Sequence, residues 1–132
     1  MSTNIVADAE RVITLLNNNY TNNKGKTVRM LSKSQIRKFL TAFVMVTNKV
    51  EIAKRSQPKA KEIPVELVNE IQFLKVKLVY QAGRDDSVHA FIDESKLLQK
   101  IDAVGNSFER YQELANYMEA LVAYHKFYGG KD

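Results

Sequence analysis

Residues 32–50 read Ser32-Lys33-Ser34-Gln35-Ile36-Arg37-Lys38-Phe39-Leu40-Thr41-Ala42-Phe43-Val44-Met45-Val46-Thr47-Asn48-Lys49-Val50. Ser32 and Gln35 stand in the S-x-x-Q spacing of a capping box, in which each side chain satisfies a backbone N–H of the opening turn. Behind them Ile36, Phe39, Leu40, Phe43, Val46 and Val50 recur at intervals of three and four, so one face of a helix is apolar. The pattern predicts a helix running to about Arg55. Lys54 would turn toward the core if that helix continued, so fraying is expected near it.

The same two signals, periodicity and punctuation, organise the rest of the chain. A first helix is predicted from about Thr3 to Leu16 on Ile5, Ala9, Val12, Ile13 and Leu16, with Ser2 or Thr3 as its cap. The polar run from Asn17 to Thr27 reads as a loop. Pro58 and Pro64 bracket a basic connector, and Pro64 suits the first turn of a third helix carrying Leu67, Val68, Ile71, Leu74, Leu78 and Ala82. Gly83 is its expected C-cap. Asp85 or Asp86 is placed to cap a fourth helix with Val88, Phe91, Ile92, Leu97, Leu98 and Ile101, broken at Gly105. Asn106, with Glu109 three residues on, is placed to cap a fifth, which Gly129-Gly130 would end. The expectation is an all-α fold, a compact bundle of about five helices forming a single domain over residues 1–132.

Composition agrees with that class and removes others. Hydrophobic residues make up 45% and charged residues 27% of 132, which suits one globular core rather than a disordered chain. Two prolines and five glycines are too few for an all-β chain of many tight turns. The absence of cysteine excludes disulfides, thiolate metal sites and cysteine nucleophiles, and fits a reducing compartment. No apolar run is long enough to span a membrane, and Met1-Ser2-Thr3-Asn4 does not resemble a basic signal peptide, so a cytoplasmic protein is expected.

The sequence carries no recognisable catalytic constellation. Gly25-Lys26-Thr27 imitates the end of a phosphate-binding loop, but the required earlier glycine is Tyr20 and no strand precedes it. Gly129-Gly130-Lys131 has no helix after it. His89 and His125 lie outside any metal-ligand spacing and read as surface or half-buried helix residues. Glu66 with Glu70, Asp85-Asp86 and Asp93-Glu94 read as solvated acidic faces, because acid–base work needs carboxylates in two different environments of one cleft. No enzymatic activity, metal or cofactor is expected.

Charge is the stronger signal. Between Lys24 and Lys61 the chain carries eleven basic residues and one acid, Glu51, whereas outside it nine basic residues face fourteen acidic ones. With Phe43 at the centre of the core face, Lys33, Arg37, Thr41, Asn48 and Arg55 fall along one flank of the second helix. Lys38 and Lys49 fall along the other. Such a row, about 30 Å long, suits a phosphate backbone read without regard to sequence, and few aromatics interleave it. On the third helix Lys75 falls within the apolar arc, so it must either snorkel out or serve a partner. Phe73, Val76, Lys77, Tyr80 and Arg84 share the face opposite the core, the mark of a contact surface.

Three runs also carry a family resemblance. Leu31-Ser32-Lys33-Ser34-Gln35-Ile36-Arg37-Lys38, then Glu70-Ile71-Gln72-Phe73-Leu74-Lys75-Val76-Lys77-Leu78-Val79-Tyr80-Gln81-Ala82-Gly83-Arg84, then Tyr117-Met118-Glu119-Ala120-Leu121-Val122-Ala123-Tyr124-His125-Lys126-Phe127-Tyr128 occur in order. Each is similar to a segment of the small subunit of type III-A (Csm-type) CRISPR effector complexes. The resemblance implies a helical, non-catalytic subunit, present in several copies, lining the channel that holds the guide RNA and target RNA. Its implied partners are the repeated backbone subunit, the large polymerase-like subunit and neighbouring copies of itself. Carried to matching positions, it implies RNA contacts by Lys33, Arg37, Lys38, Lys75, Lys77 and Arg84. Lys49, Lys54 and Arg55 join them on charge and helical position alone. Residues 1–30 match no motif.

Two other classes compete: a structural helical adaptor whose basic face binds an acidic protein, and a small DNA-binding regulator, for which no helix-turn-helix turn is visible. The fifth helix adds an expectation of self-contact. Tyr111, Leu114, Met118, Leu121, His125 and Tyr128 form one stripe, and Tyr117, Ala120, Tyr124 and Phe127 a second on the other side. A helix apolar nearly all round is either central to its bundle or shared with a neighbour. Met45 and Ile52 on the outward side of the second helix favour the neighbour.

Overall fold

A computed structural model describes residues 4–128. Six helices make up the described chain: α1 (Ile5–Asn17), α2 (Lys33–Ser56), α3 (Val65–Arg84), α4 (Asp86–Ser95), α5 (Leu97–Val104) and α6 (Phe108–Phe127). There is no strand among them, only the isolated bridges Thr21–Thr27 and Glu62–Ser107.

The capping box of α2 is present in full. Ser32 Oγ accepts from Gln35 N at 3.1 Å while Gln35 Oε1 accepts from Ser32 N at 2.7 Å. The expected fraying near Lys54 does not occur, because its ammonium turns back to donate to the Ala60 carbonyl at 2.8 Å and lies 5.2 Å from the centre of the Phe108 ring. Helix α1 starts at Ile5 under Asn4, whose Oδ1 accepts from Ala7 N at 3.0 Å; the expected caps Ser2 and Thr3 lie outside the described residues. The expected end at Gly129-Gly130 also lies outside them.

Three boundaries differ from expectation for tertiary reasons. Gly83 does not cap α3, which continues to Arg84; Asp85 closes α3 and opens α4 with no loop between. The predicted fourth helix is two helices, hinged at Lys96 with φ of 57°. That left-handed conformation is costly for a residue with a Cβ, yet the turn buries Ile92 and Ser95 before it and Leu97 and Ile101 after it. Ser107 rather than Asn106 caps α6, accepting from Arg110 N at 3.1 Å. Asn106 is occupied otherwise, its carbonyl accepting from Ile63 N at 2.7 Å.

Helix α6 packs on three neighbouring helices. It packs most extensively on α1, and also on α2 and α5. Tyr111 meets Thr47 hydroxyl to hydroxyl at 2.7 Å, and His125 Nε2–H donates to the Leu31 carbonyl at 2.8 Å, so α6 runs antiparallel to α2. His125 is therefore fully buried and satisfied, where a surface or half-buried place was expected; His89 is exposed. The second apolar stripe of α6 lies under α1, with Tyr117 buried, and Tyr128, which ends the first stripe, also reaches α1, its hydroxyl donating to Glu10. Only Phe127 of the second stripe stands in solvent. The all-round apolar character of α6 is thus accounted for inside one chain.

The loop over residues 18–32 is tied down. Asn22 Oδ1 accepts from Lys24 N and Lys26 N, both at 3.0 Å, and Gly25 takes φ of 78° at the tip. Lys26 pairs with Asp86 at 2.7 Å, and the Tyr20 hydroxyl donates to Glu94 at 2.7 Å.

Three tyrosines make the fold sensitive to alkali. The bond to Glu94 holds the Tyr20 phenol up to about 12, burial does the same for Tyr111, and burial beside Asp8 raises Tyr117. A raised folded value means that the folded chain keeps a proton the unfolded chain loses near pH 10, the ordinary phenol value. Stability is therefore full below pH 10 and declines as pH rises from 10 through 12. Urea unfolding between pH 9 and roughly pH 11.5 is expected to show that decline, and Tyr111→Phe is expected to flatten it. A decline of unchanged steepness in Tyr111→Phe would remove this tyrosine from the account.

Candidate nucleic-acid interface

Helices α2 and α3 run antiparallel, with Lys49 paired to Glu70 at 2.7 Å near one end and the hydroxyl of Ser87, in the first turn of α4 just past the end of α3, donating to Gln35 at 3.1 Å near the other. Their apolar faces point inward, burying Ile36, Phe39, Phe43, Val46 and Val50 against Leu67, Ile71, Leu74 and Leu78 in one common core. What is left outside is a basic surface with two flanks. At about 100° per residue, Lys38 of α2 and Lys77 and Arg84 of α3 lie on the flank that carries the Lys49–Glu70 pair. Lys33, Arg37 and Arg55 lie on the other, beside α6.

The nine expected residues are not equivalent. Lys33, Arg37, Lys38, Arg55 and Lys77 are exposed and make no side-chain hydrogen bond or ion pair among the described residues. The other four are engaged: Lys49 with Glu70, Lys54 with the Ala60 carbonyl and the Phe108 ring, and Arg84 over the Tyr80 ring at 5.6 Å. Lys75 is half-buried and pairs with Asp102 of α5, so it links two helices and lies apart from Lys77 and Arg84. Exposed pairs such as Lys49–Glu70 contribute only about 0–1 kcal/mol, so a phosphate can compete for that lysine. Lys75 is less exposed than Lys49, and its partner Asp102 stands in solvent.

Helical spacing alone did not disclose a groove of about 550 Å³ between α2 and α6. Val50, Phe108 and Tyr111 form its apolar floor, and Lys54, Arg55 and Glu51 stand at its rim. It brings Lys54 and Arg55 together at the end of the basic flank. No signal short of the α2–α6 pairing could have located it. Among the described residues no group of histidine and acidic side chains is arranged to hold a metal ion. No helix among them is long and apolar enough to cross a membrane.

With this surface in view, the likeness to known proteins becomes specific. The profile of the Csm2 Type III-A family matches residues 11–131. The chain belongs to the Csm2 family of type III-A CRISPR systems. A relative from Streptococcus thermophilus named CRISPR system Cms protein Csm2 is 39% identical over 129 residues, spanning 98% of this chain and 94% of that one. A Mycobacterium tuberculosis protein of the same name is 40% identical over 70 residues, covering 53% of this chain and 56% of its own. An Enterococcus italicus protein of that name is 39% identical over 62 residues, 46% of this chain and 44% of its own. The match to the Csm2 family spans the whole of α2 through α6, and therefore every residue of the basic surface.

Proposed function

We propose that this Csm2-family chain is a non-catalytic small subunit of a type III-A effector ribonucleoprotein, acting in the cytoplasm in antiviral defence. It is present in several copies and holds the guide RNA–target RNA duplex by its backbone, without sequence preference. Its neighbours in that assembly are the repeated backbone subunit, the large polymerase-like subunit and further copies of itself. The observation that supports this most directly is the set of five exposed cations on α2 and α3 with no partner among the described residues: Lys33, Arg37, Lys38, Arg55 and Lys77. Cations held on two rigid helices are suited to a repeating row of phosphates, and the deep, narrow major groove of an RNA duplex keeps such side chains from its base edges. Lys49, Lys54 and Arg84 extend the row when phosphate displaces their weak internal partners. Lys75 contributes in the same way only if its pairing with Asp102 opens.

A salt titration tests it. Binding of the full chain to unrelated RNA duplexes is expected to weaken linearly in log affinity with log salt, by roughly 0.7–0.9 per phosphate neutralised. Four or five contacts give a slope near about −4. The same slope on every duplex supports backbone contact. An affinity indifferent to salt, or confined to one sequence, would refute it.

A further inference from the structure

The outer face of α3 carries a pattern distinct from the basic flanks of α2. Phe73, Lys77, Tyr80 and Arg84 follow one another at intervals of four, three and four residues, so aromatic and cation alternate along one stripe. Phe73 is 57% and Tyr80 65% exposed, which is unusual for rings of that size, and neither touches the core. Arg84 places its guanidinium 5.6 Å from the centre of the Tyr80 ring and so continues the stack. From Phe73 to Arg84 the helix contains three cations and no acid. The acids bordering this run are Glu66, Glu70, Asp85 and Asp86, of which Glu70 is neutralised by Lys49 and Asp86 by Lys26.

We propose that the rings of this stripe are a stacking platform for unpaired RNA bases, separate from the duplex-backbone contacts, with which the stripe shares only its cations Lys77 and Arg84. This rests on RNA being the ligand of the surface. An aromatic face offers stacking that any base can use, and an interleaved cation meets the phosphate between two bases. The spacing sets the form of the ligand. Seven residues of helix separate Phe73 from Tyr80 by about 10 Å, against a repeat of about 3.4 Å for stacked neighbours. The two rings therefore take bases that are not adjacent, with Lys77 facing the backbone between them. A duplex, whose bases are already stacked and paired, gains nothing from the rings. An acidic or apolar protein partner would use the exposed Val76 and Val79 equally, and would not require the rings to be aromatic.

The test compares fluorescence anisotropy of a labelled, unstructured oligouridine and of an RNA duplex of equal length, with the full chain at low salt. Phe73→Leu with Tyr80→Leu keeps an apolar surface and removes the rings. It is expected to weaken oligouridine binding by about tenfold for each ring, with duplex affinity and the salt slope unchanged. Phe73→Tyr with Tyr80→Phe should restore wild-type binding. Both positions are exposed, and unchanged circular dichroism will verify the fold. Wild-type affinity in the leucine variant would overturn the platform and leave the stripe as a protein contact, with duplex binding intact. Equal loss on both RNAs would also overturn it. Ring-dependent oligouridine binding without duplex binding would keep the platform and refute the duplex-backbone proposal. Failure of the wild-type chain to bind either RNA would refute both.

Discussion

Replacing Arg37 and Lys38 together by glutamate is expected to weaken RNA binding about 100-fold at moderate salt, and equally for unrelated sequences. Each residue is exposed and has no partner among the described residues, so its charge is free to meet a phosphate. A charge-assisted hydrogen bond contributes about 1.5–3 kcal/mol, and reversal adds repulsion to the loss. The two side chains lie on different flanks of α2, so the pair tests both at once. The log–log salt slope should become shallower by roughly one unit per contact removed. Stability should hardly change, because both positions are exposed on the helix surface. Unaltered affinity would move the binding face to α3, and loss confined to one RNA would require base readout.

The second large effect concerns the fold. Phe91 of α4 is fully buried, and its ring lies 5.7 Å from that of Phe39 on α2. Helix α4 packs on both α1 and α3, so this ring ties the short middle helices to the long ones. Phe91→Ala is expected to cost about 3–5 kcal/mol, a large part of the roughly 5–15 kcal/mol available to a domain. Urea unfolding should show it as a lower midpoint, with Phe91→Leu losing much less. A cost below about 1 kcal/mol would mean that α4 opens independently of the rest.

Self-contact between copies now rests on different residues. The second stripe of α6 is covered by α1 of the same chain, while Met45 and Ile52 of α2 do stand exposed, as helical position indicated. Those two and Phe127 are among the large apolar side chains that stand exposed on the surface.

Much of this protein was legible before any coordinates. The long helices α2, α3 and α6, and most of α1, followed from apolar residues at intervals of three and four, and the start of α2 also from a capping box whose two partners lie three residues apart. Those interactions are local, so their partners are adjacent in the sequence. The basic surface was legible for the same reason, since charge and helical position need no distant partner.

Other features were settled by contacts between residues far apart in the chain. Lys96 adopts a left-handed turn that its own side chain disfavours, and burial on both sides of it imposes that turn. Lys75 meets Asp102, Lys49 meets Glu70, and His125 meets the Leu31 carbonyl, across 27, 21 and 94 residues respectively. No periodicity reports such pairings, because they depend on which helices become neighbours and in what register. Whether a lysine on this helical surface is free for a phosphate or already satisfied is therefore a property of the packed bundle, and spacing along a single helix does not contain it.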